Sequence, residues 1–241
     1  MSGMGKVILI ASGKGGTGKT VFTANLGAVL AQRGHKVALI DMDMGLRNLD
    51  LCLGLEDRVV YDIVDVLTGL CRIKQALIRD KRFESLYLMS SPPSSKMADI
   101  TPLHMQVLYK KLKNNFDYIL VDAPAGINEI VMMSAASADS AVIITVPEHA
   151  AVRDADILYS KLTEIGLVDV KYVLNKVRPD LIFSGVVPKI NEISRKLRPE
   201  MAGIIQYDDN IHIAANNGLP VVFKKGTYIE ENFNKIADRI I

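Results

Sequence analysis

Eight consecutive residues, Gly13-Lys-Gly-Gly-Thr-Gly-Lys-Thr20, satisfy the pattern G-x-x-x-x-G-K-[ST]. The chemistry of that pattern is phosphate binding. Its glycines let successive backbone N–H groups turn inward around an anion. The helix that follows adds the positive end of its dipole. Lys19 is placed to reach the β- and γ-phosphates, and the Thr20 hydroxyl to ligate Mg²⁺. The expected ligands are therefore ATP and Mg²⁺, cradled by Gly13, Lys14, Gly15, Gly16, Thr17, Gly18, Lys19 and Thr20. Lys14 stands too early to be the usual phosphate lysine. It is a solvated loop lysine, a second contact to the same nucleotide, or a lysine that crosses a dimer interface to the partner's ATP. The last would be the counterpart of an arginine finger supplied in trans.

Three carboxylates fall where an open α/β sheet places ligand contacts, beyond the carboxyl ends of strands. Asp122 closes the apolar run Tyr118-Ile-Leu-Val, as in a Walker B motif, and is expected to hold Mg²⁺ through water. Asp41 and Asp43 follow the apolar run Val37–Ile40. In an extended chain their side chains point to opposite sides. Phosphoryl transfer needs positioning more than a strong base, so one aspartate that orients the attacking water suffices. Spacing alone does not choose between the two.

The elements that must carry these residues alternate regularly. Val7–Ala11, Val37–Ile40, Leu86–Met89, Tyr118–Val121, Ala141–Val146, Tyr172–Leu174 and Gly203–Ile205 read as buried strands. Continuous apolar runs are expected where helices cover both faces of a parallel sheet. Helices are predicted over 19–33, 61–67, 101–114, 129–136, 152–165, 186–197 and 227–241, with Gly34 at a left-handed C-terminal cap. The pattern predicts one α/β domain over residues 1–241: a P-loop NTPase with a mostly parallel, doubly wound sheet. No internal repeat or low-complexity segment interrupts it. The loop Ser90–Lys96, with Pro92 and Pro93, is too short for a domain linker.

Bulk properties narrow the class. Of 241 residues, 49% are hydrophobic, enough for a large core, and the net charge of +2 does not demand a nucleic-acid partner. Cys52 and Cys71 lack metal-ligand spacing and read as buried, reduced thiols of a cytoplasmic protein. The apolar run after the N-terminus ends in the glycine-rich loop, not at a cleavage site, so no signal peptide is expected. No apolar stretch approaches the roughly 20 residues of a membrane span.

The loop with its early Lys14 resembles that of the deviant Walker A ATPases, the MinD/ParA family. Ile40-Asp-Met-Asp-Met-Gly-Leu-Arg-Asn-Leu-Asp-Leu51, Arg58-Val-Val-Tyr-Asp-Ile-Val64, Gln75-Ala-Leu-Ile-Arg-Asp-Lys-Arg82, Asp122-Ala-Pro-Ala-Gly-Ile127 and Val152-Arg-Asp-Ala-Asp156 look like its MinD branch. The resemblance covers nearly the whole chain. It implies an ATP-sandwich homodimer with Lys14 acting in trans and Asp43 orienting the hydrolytic water. Asp41 would lie nearby, Asp122 would take the Walker B position, and Asn48 would lie in a switch segment. Asn175 falls where family members read adenine, although Asn at a strand end is equally a turn former. Arg153 and Asp154 fall either on the partner-binding face or in a solvated first helical turn. The implied partners are a MinC-like division inhibitor and a MinE-like or other regulator.

Two departures stand out. Gln206 occupies a position where relatives usually have proline, on the base-binding side. The family's basic, membrane-binding C-terminal helix is also not evident. Ile229, Phe233, Ile236 and Ile240 form one apolar stripe, but the charges around it are Glu230, Glu231 and Asp238 against Lys235 and Arg239. This segment reads as the last packed helix of the domain, so the chain as it stands is expected not to bind anionic membranes. A peripheral inner-membrane location would require a C-terminal tail. Two other readings compete with this one. A partition ATPase would bind DNA through a basic surface, for which Arg178, Lys189, Arg195, Lys196 and Arg198 are candidates; no specific nucleic acid is expected. An iron–sulfur relative would need cysteines placed differently from Cys52 and Cys71.

Overall fold

The computed structural model describes residues 4–44, 46–92 and 100–241. Pro93 to Lys96 of the expected loop, and Gly45, lie outside the described residues. The strands are β1 (Lys6–Ser12), β2 (Val37–Asp41), β3 (Ile78–Arg79), β4 (Leu86–Met89), β5 (Tyr118–Ala125), β6 (Ser140–Thr145), β7 (Val170–Val177) and β8 (Glu200–Gln206). They form one eight-stranded sheet in the order β3-β4-β2-β5-β1-β6-β7-β8. Only β3 pairs antiparallel. The helices are α1 (Lys19–Gln32), α2 (Leu49–Cys52), α3 (Ile63–Leu67), α4 (Ile73–Ala76), α5 (Pro102–Lys113), α6 (Glu129–Ala135), α7 (His149–Glu164), α8 (Pro179–Phe183), α9 (Ile190–Lys196), α10 (Asp209–Asn216) and α11 (Tyr228–Ile240).

The two-residue period of the strands divides the core between two layers. Val7, Leu9 and Ala11 of β1 face the layer of α5, α6, α7 and α9, while Ile8 and Ile10 face that of α1 and α11. Helix α1 is buried on nearly every side, because α11 lies over it and Phe22 meets Phe233 at 5.7 Å between ring centroids. Gly27 permits its approach to the sheet; a Cβ there would stand 2.6 Å from Leu39 Cδ2. The stripe Ile229, Phe233, Ile236 and Ile240 of α11 is buried against β8 and α1. Two α11 side chains, Asn232 and Arg239, donate to the carbonyls of Ile204 and Ala202 on edge strand β8.

The structure shifts several predicted boundaries. The segment expected to be helical over 186–197 starts only at Ile190, since Pro188 cannot donate within a helix and Lys189 serves as N-cap. The segment expected from residue 61 starts at Ile63, because the Asp62 side chain accepts from the N–H groups of Val64 and Asp65. Asp122 does not end its strand; β5 runs on through Ala123 to Ala125. Asn175 likewise lies within β7 and not at its end. The two thiols are half-buried and not buried. Burial and nearby aspartates push the Cys52 thiol up to about 12, and Cys71 is also raised. No helix among the described residues is long and apolar enough to cross a membrane.

Candidate functional site

Strand β1 lies between β5 and β6, and the chain leaves β1 towards β2 on one side but crosses to β6 on the other. The crevice at the carboxyl ends of these strands is where an open α/β sheet binds ligands. The phosphate loop fills it. Gly16 and Gly18 have φ of 79° and 88°, the left-handed region that favours glycine. Gly18 is also the N-cap of α1, whose first turn carries no acidic residue and no side-chain cap. The helix therefore presents unpaired N–H groups and its positive end to the loop. Gly13 lets α7 close on the loop, since a Cβ there would sit 2.5 Å from the Asp154 carbonyl carbon.

A cleft of about 340 Å³ runs from the loop towards the end of β8. Gly15 to Val21 line it with Ser12, Asp43, Leu46, Asn48, Ala125, Asn175 and Lys176. At the far end lie Gln206, Tyr207, Asp208, Ile211 and His212. Of these, only Gln206 was singled out from sequence. The available signal was the capping residue Asp208, which starts α10 by accepting from Asn210 N; Tyr207 and His212 meet there at 5.6 Å between ring centroids.

Under the loop, Lys19 Nζ lies 2.9 Å from Asp122 Oδ1, and both side chains are buried. Thr23 Oγ1 donates to the same oxygen at 3.1 Å. Asp41 pairs in register with Asp122 on the adjacent strand and is wholly buried. Burial, then the neighbouring Asp122 charge, pushes its carboxyl up to about 7. Asp41 Oδ1 accepts from Asp43 N at 2.9 Å, so the chain turns after β2. The extended geometry that would separate the two side chains does not occur. Asp41 faces Asp122, and Asp43 faces the cleft. Burial also raises the Asp43 carboxyl; Lys19 opposes that and Asp122 adds to it.

The predicted ligand groups can be tested against this geometry. Asp122 Oδ2 and Thr17 Oγ1 are buried without a hydrogen-bond partner. A buried acceptor left open beside a phosphate loop fits a cation or a water held by one. No group of three or more His, Cys, Asp or Glu among the described residues makes a closed metal cage. Mg²⁺ is ordinarily bound through one or two carboxylates plus substrate phosphates, not by a dedicated all-protein cage. Thr20 is half-buried at the first turn of α1.

The remaining predicted residues divide. Asn175 Nδ2 donates to Thr17 O at 2.7 Å, and Lys176, with φ of 54°, donates from Nζ to Gly16 O at 2.7 Å. Both hold the outside of the loop, so the expectation of a turn-forming Asn175 is not met. Lys14 points away from the cleft and pairs with Glu148 Oε2 at 2.7 Å, both groups part-exposed. Arg153 is 75% exposed beside Asp154, in the second turn of α7 and not its first. In the proposed basic surface, Arg178 pairs with Asp180 and Arg198 with Asp156.

Comparison with known proteins follows the same lines. A family model described as an AAA domain matches residues 5–172. The septum site-determining protein MinD of Bacillus subtilis is 41% identical over 240 residues, 99% of this chain and 90% of that protein. Among solved structures, the MinC:MinD cell division protein complex of Aquifex aeolicus matches with a TM-score of 0.90 and 38% identity, covering 98% of this chain and 95% of that one. The septum site-determining protein MinD complexed with Mg-ADP from Pyrococcus horikoshii matches with a TM-score of 0.87 and 29% identity, covering 98% and 96%.

Proposed function

The chain belongs to the MinD family of septum site-determining ATPases, and from that premise we propose that it is an ATP-driven switch placing the division site through a MinC-like inhibitor. One observation carries the reading: a phosphate loop whose Lys19 reaches the buried Asp122, in a chain of this family. The MinC:MinD complex among its structural neighbours supports the inhibitor as a partner. We propose further that residues 1–241 act as a single ATPase domain, and that a MinE-like or other regulator acts on it.

The proposed chemistry follows from the placements. ATP lies with its phosphates in residues 13–20 and its base towards Asn175 and the Tyr207–His212 rim. Thr20, Asp122 and Asp41 would hold Mg²⁺, which when bound neutralises phosphate charge. Lys19 exchanges its contact with Asp122 for the phosphates. Asp43, which faces the cleft, holds the attacking water in line; positioning of this kind is most of what phosphoryl transfer asks of a protein. Lys14 does not line its own subunit's nucleotide cleft. Its part-exposed pair with Glu148 is a contact that a surface ion pair yields at little cost, roughly 0–1 kcal/mol. It is therefore available to reach a partner's nucleotide.

Lys14→Ala tests the switch. ATP affinity should stay near that of the unaltered chain, while ATP-dependent dimerisation in light scattering and steady-state phosphate release should both fall. A Lys14→Ala protein that dimerises and turns over normally would remove the lysine from the mechanism.

A further inference from the structure

A pocket of about 1100 Å³, larger than the nucleotide cleft, lies elsewhere on the molecule. It lies between the α3–α4 pair and α5. Leu67 and Ile73 come from one wall, Leu103 and Val107 from the other, and Tyr87 with Phe116 lines it further along. Leu103 and Val107 stand 63% and 45% exposed, an apolar stripe of α5 that no element among the described residues covers.

The charged groups around this groove are of one sign. Arg72 and Lys74 lie on one wall, Lys111 on the other, and Lys36 sits over the Tyr87 and Phe116 rings at 5.7 and 5.1 Å. No Asp or Glu among the described residues lines it. Among the described residues, Lys36, Arg72, Lys74 and Lys111 make no ion pair. Neighbouring carboxylates are committed elsewhere: Asp62 and Asp65 cap α3, and Asp117 accepts from Lys36 N.

We propose that this groove docks an acidic amphipathic helix of a partner protein. The helical walls decide between a helix and a strand. Tyr87 comes from β4, which is paired on both sides, so no free strand edge lines the groove. A helix laid between helices reads the groove through an i, i+3, i+4, i+7 stripe. The spread of charge decides between a polypeptide and a lipid. Lys111 lies on α5, the facing wall carries Arg72 and Lys74, and Lys36 sits at the Tyr87–Phe116 end. One headgroup at one mouth would leave most of these cations unmatched, whereas carboxylates along a helix meet them.

A helix seated there would bear on the catalytic end. Ile63 N, at the start of the α3 wall, donates to Ser90 O at 2.9 Å, and Ser91 Oγ donates to Asp43 O at 3.3 Å. The groove wall and the loop holding Asp43 are thus joined through Ser90 and Ser91.

The test uses the full chain and two designed, fluorescently labelled helices of about five turns. They share one leucine stripe and differ only in Glu or Lys on the polar face. Anisotropy should show the acidic helix binding about tenfold or more tighter than the basic one, as expected where charge sets partner choice. Arg72→Glu/Lys111→Glu should reverse that preference; both side chains are exposed, and the variant's unchanged melting temperature and nucleotide affinity show that it folds. Equal binding of the two helices, binding of neither, or a preference that survives the reversal would overturn the proposal. So would nucleotide-independent self-association abolished by the reversal, which would assign the groove to a second copy. Pelleting with equimolar phosphatidylglycerol–phosphatidylcholine vesicles, abolished by the same variant, would assign it to lipid.

Discussion

Lys19 and Asp122 form a buried pair in which each member has a second task. Breaking a buried pair by removing one member usually costs about 3–5 kcal/mol, because the other charge is left uncompensated. Here the carboxylate left behind keeps a partner, because Thr23 Oγ1 donates to Asp122 Oδ1 at 3.1 Å. Lys19→Met should therefore fold, yet lose the main cation facing the phosphates. We predict a fall in ATP affinity of about a hundredfold, since charge-assisted contacts to phosphate are roughly twice as strong as neutral ones. Calorimetric titration of folded protein with near-normal affinity would refute it. Asp43→Ala separates binding from turnover. Asp43 contributes no hydrogen bond to the loop, so the variant should bind ATP and dimerise but release phosphate at least about tenfold more slowly. Single-turnover kinetics with an unchanged chemical step would remove Asp43 from water positioning. The sequence left Asp41 and Asp43 unresolved because the choice depends on the turn after β2. That turn is fixed by the bond from Asp43 N to Asp41, which no spacing rule supplies.

At the scale of elements, the legible parts were those with a strong local signal. The seven longer strands are apolar runs flanked by polar residues, and each was placed within a few residues. Strand β3, two residues long, and the four-residue α2 and α4 are too short for periodicity to register. Helix α10 was missed although Asp208 caps its start and Gly218, with φ of 63°, follows its end. Missing it hid the Tyr207–His212 rim of the cleft. The outer clamp on the phosphate loop was also illegible, because it joins residues 158 and 160 positions apart: Asn175 with Thr17 and Lys176 with Gly16. The clamp yields a prediction at this scale. Gly18→Ala adds a Cβ 2.5 Å from Asn175 Nδ2 at a residue with φ of 88°. It should strain the loop by about 1–3 kcal/mol and open the clamp, weakening ATP and ADP alike. Loss of ATP binding alone would show instead that the residue senses the γ-phosphate.

For the whole molecule, the question is whether the domain itself carries a membrane anchor. A single short amphipathic helix binds lipid weakly and reversibly, and does so only if its apolar face is free. Dimerisation would join two such helices and raise overall binding by roughly 10²–10⁴ through effective concentration, so ATP would control residence without touching lipid. In α11 that face is not free. Phe233 and Ile236 are 1% exposed, and Gly203 is a glycine where a Cβ would stand 2.5 Å from Ile236 Cγ1. Lys6 and Lys171 donate to the carbonyls of Ile240 and Arg239, placing cations at the C-terminal, negative end of the helix. Releasing the stripe would open the core between α1 and β8, so the apolar face of α11 serves the fold. Residues 1–241 should accordingly remain in the supernatant with anionic vesicles at low salt, with or without ATP. A designed control makes the same point from the other side. Gly203→Val would overpack the contact with Ile236 and destabilise the domain by about 1–3 kcal/mol, a loss readable as a lower melting temperature. If that variant pelleted with vesicles while the unaltered chain did not, the apolar stripe would be membrane-competent but held in the core. ATP-dependent pelleting of the unaltered chain would show that a surface other than the buried face of α11 meets the lipid.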